Sequence, residues 1–141
     1  MALHRQVLAI DPDNIAAMNN LAYTLAAQKP TDKAGLAESM KLIQGAMARA
    51  PQITAFQDTL GWLEILNGQG AEGTRRIAQA IGSLRLDPAV HYHLGMGYLK
   101  TGQADLARMH LQNVALLAKD HKDVRELPLA DAALKELALN R

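Results

Sequence analysis

Few residues of this 141-residue chain have the types and spacing that chemistry requires. Gly68, Gly70 and Gly73 form a literal GxGxxG pattern. That pattern binds a dinucleotide when it joins a strand to a helix, because the loop then presents backbone N–H groups to a pyrophosphate. Residues 60–66, just before it, instead have a helical apolar spacing. We therefore interpret the glycines as a helix cap followed by a close-packing position.

Histidine, serine and carboxylate side chains do not form a recognisable catalytic or metal-binding set. His91 and His93 are two residues apart, so on a helix they point to different faces and cannot readily chelate one ion. Ser39 and Ser83 have no His and Asp partners at a suggestive spacing, and the acids are scattered over separate turns. We expect no catalytic residues, no metal site and no cofactor, and predict that the chain is not an enzyme.

The composition favours helices and gives no sign of a nucleic-acid partner. Apolar residues make up 49% of the chain and aromatic residues 4%, and Ala and Leu, which lead the helix propensities, supply most of the apolar share. The 15 basic and 14 acidic residues nearly cancel, so no attraction to nucleic acid or an anionic membrane is expected. Cysteine is absent, which excludes thiol chemistry and disulfides. No apolar run approaches the roughly 18 residues of a membrane span.

An internal repeat organises the chain. A leucine followed by a small residue recurs at Leu21-Ala22, Leu60-Gly61 and Leu94-Gly95. Leu60 and Leu94 are 34 residues apart, and Leu21 and Leu60 are 39 apart, with the extra residues around 28–33, where Pro and polar residues indicate a loop. A 34-residue period of two helices resembles the tetratricopeptide repeat (TPR) family. Further positions match its pattern: Met18, Ile43, Ala46 and Pro51, then Ile77 and Ala80, then Tyr98, Ala107, Leu111 and Val114.

The resemblance implies an all-α solenoid of antiparallel helix pairs, formed as one domain over residues 1–141. It divides the chain into a half-repeat helix at 2–12, repeats at 14–52, 53–86 and 87–120, and a C-terminal capping helix at 122–141. We expect helices near 2–9, 14–28, 33–49, 53–67, 71–84, 88–101 and 104–119. Val7, Leu8 and Ile10 should pack on the first pair. Glu64 occupies a half-buried position and needs a cation, for which Arg75 and Arg76 are both candidates.

In this family the first helices of successive repeats line a concave groove. The matching positions predict a protein- or peptide-binding site, with these residues: Asn19, Tyr23, Asp58, Trp62, Ile65, Tyr92, Met96 and Leu99. Chaperone-binding members clamp a terminal carboxylate with Lys, Arg and Asn, and here only Asn19 is of such a type. Trp, Tyr and Met are favoured interface anchors. Two interpretations stay open: an exposed binding stripe, or core side chains covered by neighbouring helices or the C-terminal segment.

The resemblance predicts a non-catalytic scaffold that holds a peptide or helix of an unidentified partner protein in its groove. The alternative is self-assembly, in which the exposed edge of the N-terminal half-repeat forms a homodimer or longer array. The phrases around Leu21, Leu60 and Leu94 also resemble the C-terminal repeats of large bacterial TPR proteins. This indicates a bacterial source and a piece of a longer chain, and leaves cytoplasm and periplasm open.

Overall fold

The computed structural model describes residues 1–121 and 123–140, and within them the chain forms eight α-helices and no strand. All-α architecture and the helices expected from the repeat are thus confirmed. Every observed boundary from α1 to α7 lies within two residues of its expected place. The helices are α1 Ala2–Ile10, α2 Ile15–Gln28, α3 Lys33–Arg49, α4 Thr54–Leu66, α5 Gly70–Leu84, α6 Pro88–Lys100, α7 Ala104–Leu117 and α8 Glu126–Leu139.

The helices form two layers of a short solenoid. The most extensive packing joins α2 with α3, α4 with α5 and α6 with α7, and each pair then packs on the next. The inner helices α2, α4, α6 and α8 also touch one another in succession. The C-terminal helix α8 therefore extends the inner layer. The predicted segment runs from Lys122 to Arg141, and both of these residues lie outside the described ranges. The helix itself begins at Glu126.

Side chains and glycines at the helix ends explain where helices begin and stop. The Asn14 and Asp87 side chains accept hydrogen bonds from the backbone N–H groups of Ala17 and Ala89, each at 2.9 Å. Gly68, after α4, has φ of 89°, a conformation that glycine adopts without a Cβ clash. Next to it, the Gln69 N–H donates to the Glu64 carbonyl at 2.8 Å, as in a Schellman cap. The GxGxxG pattern thus begins with a helix cap, as expected.

Glycines allow α4 and α5 to approach closely. A Cβ on Gly61 would lie 2.5 Å from Ile77 Cγ1 and 2.9 Å from the Gly73 carbonyl oxygen. A Cβ on Gly73 would lie 2.3 Å from the Gly61 carbonyl oxygen. None of these three distances is tolerable for real atoms, so the two backbones can pack this tightly only because both positions lack a side chain.

The N-terminal helix α1 is the least buried element. None of its residues is buried. Val7 and Leu8 are half-buried, whereas Ile10 is 87% exposed, so the expectation that Ile10 packs on the first pair is wrong. Ile10 is the last residue of the helix and faces solvent. The Arg5 guanidinium donates to the Glu38 carboxylate at 2.7 and 3.2 Å, which ties α1 to α3.

Among the helices described, none has the length and apolar character needed to cross a bilayer.

The Gly61–Gly73 contact predicts the effect of adding one methyl group. Gly61→Ala should lower the free energy of unfolding by about 2 kcal/mol or more, because the new Cβ overpacks α4 against α5. Gly82→Ala is the matched control, since a Cβ at this α5 position meets no atom within 4 Å. It should raise stability by about 0.5–1 kcal/mol through helix propensity. Urea denaturation followed by circular dichroism measures both, and equal effects would contradict the account.

Candidate functional site

An apolar cavity of about 280 Å³ lies on the inner, concave face of the solenoid. It is bounded by α2, α4, α6 and the N-terminal end of α8, so residues from every repeat and from the terminal helix meet there. Its large apolar and aromatic walls are Tyr23, Trp62, Leu66, Tyr92, Met96 and Leu129. Its polar walls are His93, Lys100, Arg125 and Glu126.

Aromatic rings form the floor of the cavity. The Trp62 side chain is 7% exposed. Its ring stacks on His93 with centroids 4.5 Å apart and planes 18° apart, and it meets Tyr92 at 5.6 Å. Aromatic stacking of this kind stabilises the fold beyond the contribution from burying the rings. Trp62 therefore supports the fold as well as lining the cavity. Of the two interpretations left open above, a side chain covered by its neighbours describes Trp62 better than an exposed stripe.

A buried carboxylate–imidazole pair lies beside this floor. His93 Nδ1 is 2.9 and 3.0 Å from the two carboxylate oxygens of Asp58. Because an ionised carboxylate can only accept, Nδ1 carries the hydrogen and donates it. The hydrogen bonds to Asp58 thus fix the orientation of the ring, and Nε2 lies on the side of the ring away from Asp58. Sequence reasoning missed His93, because Asp58 lies 35 residues away on α4 and only the packing of α4 on α6 brings them together.

Tyr23 and Glu126 meet across the cavity. The Tyr23 hydroxyl donates to the Glu126 carboxylate, and this contact joins α2 to α8. Burial, first, and the hydrogen bond to Glu126, second, raise the pKa of the Tyr23 hydroxyl far above its ordinary value. Burial also raises the pKa of Asp87, and burial and the charge of Glu126 raise the pKa of Tyr92. Tyr23 therefore stays a hydrogen-bond donor.

The structure brings half of the predicted groove residues to the cavity. Tyr23, Trp62, Tyr92 and Met96 line it. Their side chains come from three successive inner helices, as the spacing predicted.

The other four predicted residues lie elsewhere. Ile65 is fully buried. Its side chain extends from α4 against Gly73 of α5 and Gly97 of α6, within 3.0 Å of where a Cβ on either glycine would lie. The prediction that it contacts a ligand is therefore wrong. Asp58 is buried against His93. Leu99 packs on the cluster formed by α7 and α8. Asn19 is half-buried, and its Oδ1 has no hydrogen-bond partner among the described residues.

The terminal helix supplies the residues that sequence reasoning missed. Arg125, Glu126 and Leu129 line the cavity from α8 or its N-cap. The repeat pattern stops before α8, so no repeat position marked them. One signal was available in the sequence: in such an array, the helix after the last repeat takes the position of the next inner helix.

Comparisons with known proteins agree with this architecture. A curated relative, a TPR repeat-containing protein of Pseudomonas aeruginosa, is 37% identical over 91 residues, and the match covers 64% of this chain. The chain spans 15% of that relative's length. Two solved structures of MamA superpose on the chain. "Crystal structure of MamA" has a TM-score of 0.59 at 16% identity, covering 97% of this chain and 79% of the other. "MamA MSR-1 C2" has a TM-score of 0.56 at 20% identity, covering 84% and 66%.

The chain has the fold of a TPR solenoid. The resemblance read from its leucine and glycine spacing is thereby confirmed. No protein-family model matches the chain.

Glu64 of this TPR solenoid has the cation that its position requires. The Arg76 guanidinium donates to the Glu64 carboxylate at 2.8, 3.0 and 3.2 Å and to Gln57 Oε1 at 3.1 Å. Of the two candidates, Arg76 is the partner and Arg75 is exposed. The hydrogen bond to Glu64 raises the pKa of Arg76. The pair joins α4 to α5 away from the cavity and has a structural role.

His91 and His110 form a second imidazole contact, between α6 and α7. His91 Nε2 lies 2.7 Å from the Arg85 carbonyl oxygen, which can only accept, so Nε2 carries a hydrogen. In the neutral ring Nδ1 then accepts, and His110 Nδ1, 3.0 Å away, donates to it. Burial, first, and His91, second, lower the pKa of His110 to about 4. Among the described residues, no group of three or more His, Asp or Glu is placed to hold a metal ion.

The His110 environment predicts a stability loss in acid. Its folded pKa of about 4 lies below the ordinary 6.5, so the unfolded chain binds more protons between these pH values. The free energy of unfolding should therefore fall as the pH is lowered through this range. His110→Gln, which retains an N–H donor, should flatten that dependence. His121→Gln, at an exposed histidine, should leave it unchanged, and melting temperatures across the range test both. An identical slope in all three proteins would refute the assignment.

Proposed function

We propose that the chain is a non-catalytic module that binds a peptide or helix of a partner protein in its concave groove. The observation that carries the proposal is the apolar cavity bounded by α2, α4, α6 and α8. TPR proteins bind protein partners and are generally non-catalytic scaffolds, and the fold and the curated relative support such a scaffold here.

The size and lining of the cavity favour an anchoring side chain over a free small molecule. Its volume of about 280 Å³ is at the lower edge of the roughly 300–1,000 Å³ typical of small-molecule pockets. Its walls are mainly Tyr, Trp, Met and Leu, which suit an apolar side chain of a partner. Its polar lining residues are His93 and Glu126, which are buried, and Lys100 and Arg125, which are exposed. They supply hydrogen bonds to the partner backbone around such an anchor.

A variant of Leu129 tests groove binding without removing a core residue. Leu129 is 48% exposed and lines the cavity, whereas Leu139, on the same helix, is 83% exposed and does not line it. Peptides would first be selected on the wild-type chain from a phage-displayed random library. Leu129→Gln should then weaken binding of a selected peptide about tenfold, about 1.4 kcal/mol, because apolar contact is lost.

Leu139→Gln is the matched control and should bind with wild-type affinity in calorimetry. If both variants bind as the wild type does, the cavity is not the binding site. Trp62→Ala is less suitable, since the stacked and buried Trp62 also stabilises the fold.

A second candidate function, self-association through α1, has its own supporting observation. Leu3 and Ile10 are 66% and 87% exposed, and with Val7 they share one helical face at spacings of four and three residues. An uncovered apolar face of this kind usually meets another surface. A second copy of the chain is the partner proposed here.

Ile10→Glu should abolish any concentration-dependent rise in mass measured by light scattering, because a charge enters the apolar contact. Gln6→Glu adds the same charge at an exposed α1 position and should leave association unchanged. Wild-type chain that stays monomeric at millimolar concentration would rule this candidate out.

A further inference from the structure

Tyr23 and Glu126 connect the first and last helices of the inner layer. The two residues are 103 positions apart in the chain, and the Tyr23 hydroxyl donates to Glu126 Oε1. The helices that carry them, α2 and α8, do not otherwise pack on each other. In a solenoid each repeat contacts only its neighbours. A bond from the first inner helix to the last is therefore a feature that the repeat architecture does not require.

This bond lies at the edge of the cavity that α8 forms. Tyr23 and Glu126 both line the cavity, one from α2 and one from α8. Among the described residues, it is the single side-chain hydrogen bond or ion pair that α8 makes. Otherwise α8 is held by apolar packing, in which Ala130 and Ala133 meet the Leu111–Val114 face of α7. The N-terminal end of α8 thus depends on one polar contact for its position over the cavity.

Breaking the bond and opening the cavity are coupled. Glu126 is buried, and a buried carboxylate that loses its hydrogen bond must gain water. Water reaches it when the N-terminal end of α8 moves away from α2. Leu129 and Trp62 line the same cavity, so such a movement would widen the entrance past Leu129 and expose Trp62 further.

We propose that the Tyr23–Glu126 hydrogen bond is a latch that holds α8 over the groove, and that a partner enters when the latch opens. The use of the latch in regulating binding rests on the proposed function, but its opening is measurable without a partner. Trp62 is the only tryptophan in the sequence, so its fluorescence reports on this cavity alone.

Acrylamide quenching of Trp62 fluorescence in the full chain tests the latch. Tyr23→Phe removes the hydroxyl and retains the ring, so the open population should rise about tenfold and the quenching constant with it. Glu126→Gln retains an acceptor oxygen without the charge and should give an intermediate value. Tyr98→Phe is the matched control. Tyr98 stacks on His110 away from the cavity, and its hydroxyl has no hydrogen-bond partner among the described residues.

The proposal is overturned if Tyr23→Phe, folded by circular dichroism, is quenched no more than wild type and Tyr98→Phe. If Tyr23→Phe does not fold, Glu126→Gln decides, and an unchanged quenching constant again overturns the latch.

Peptide binding separates this proposal from the proposed function. With a library-selected peptide, Tyr23→Phe should associate severalfold faster than wild type in stopped-flow measurements. If Trp62 is quenched more in Tyr23→Phe than in wild type but no peptide can be selected, the latch is supported and groove binding is refuted. Equal association rates and equal quenching in wild type and Tyr23→Phe would refute the latch while groove binding stands.

Discussion

The close approach of α4 and α5 at Gly61 and Gly73 is the constraint on which the rest of the structure depends. Each glycine lies where a Cβ would collide with the opposite backbone. In the next pair, a Cβ on Gly95 would instead meet the Leu111 side chain, 2.6 Å from its Cγ. Tight pairs in turn hold successive repeats at a small rotation from one another, as in solenoids generally. This rotation places the inner helices side by side around one concave face.

Contacts between different repeats give that face its character. Asp58 and His93 come from neighbouring inner helices, and Tyr23 and Glu126 come from the first and the last. Each pair satisfies a carboxylate that burial would otherwise penalise. The polar walls of the cavity therefore consist of hydrogen-bonded pairs, while its apolar floor comes from Trp62 and its neighbours.

Trp62 both stabilises the fold and lines the cavity. Its stacking on His93 fixes the orientation of the imidazole, and the imidazole is fixed again by Asp58. The residue is nearly buried although it lines the cavity. The rings of Tyr92 and His93, on the next inner helix, pack on Trp62 and account for its burial.

Local features determined much of this protein from the sequence by itself. The 34-residue spacing, the glycine caps and the loop at 28–33 predicted the helix pairs to within two residues, because capping and close packing depend on residues near in sequence. Of the predicted inner-face residues, Tyr23, Trp62, Tyr92 and Met96 line one cavity. Arg75 and Arg76 were both within reach of Glu64, and the choice needed the actual helix rotation.

Only the tertiary structure decided which side chains meet across repeats. The burial of Ile65 depends on Gly73 and also on Gly97, which belongs to the next helix pair. Gly97 lets α6 come close to α5. The Asp58–His93 pair and the cover formed by Glu126 depend on the summed rotation of all repeats and on the docking of α8. A helical pattern specifies which face of a helix is apolar. It does not specify the curvature of the array, which arises from small packing angles between helices that are far apart in sequence.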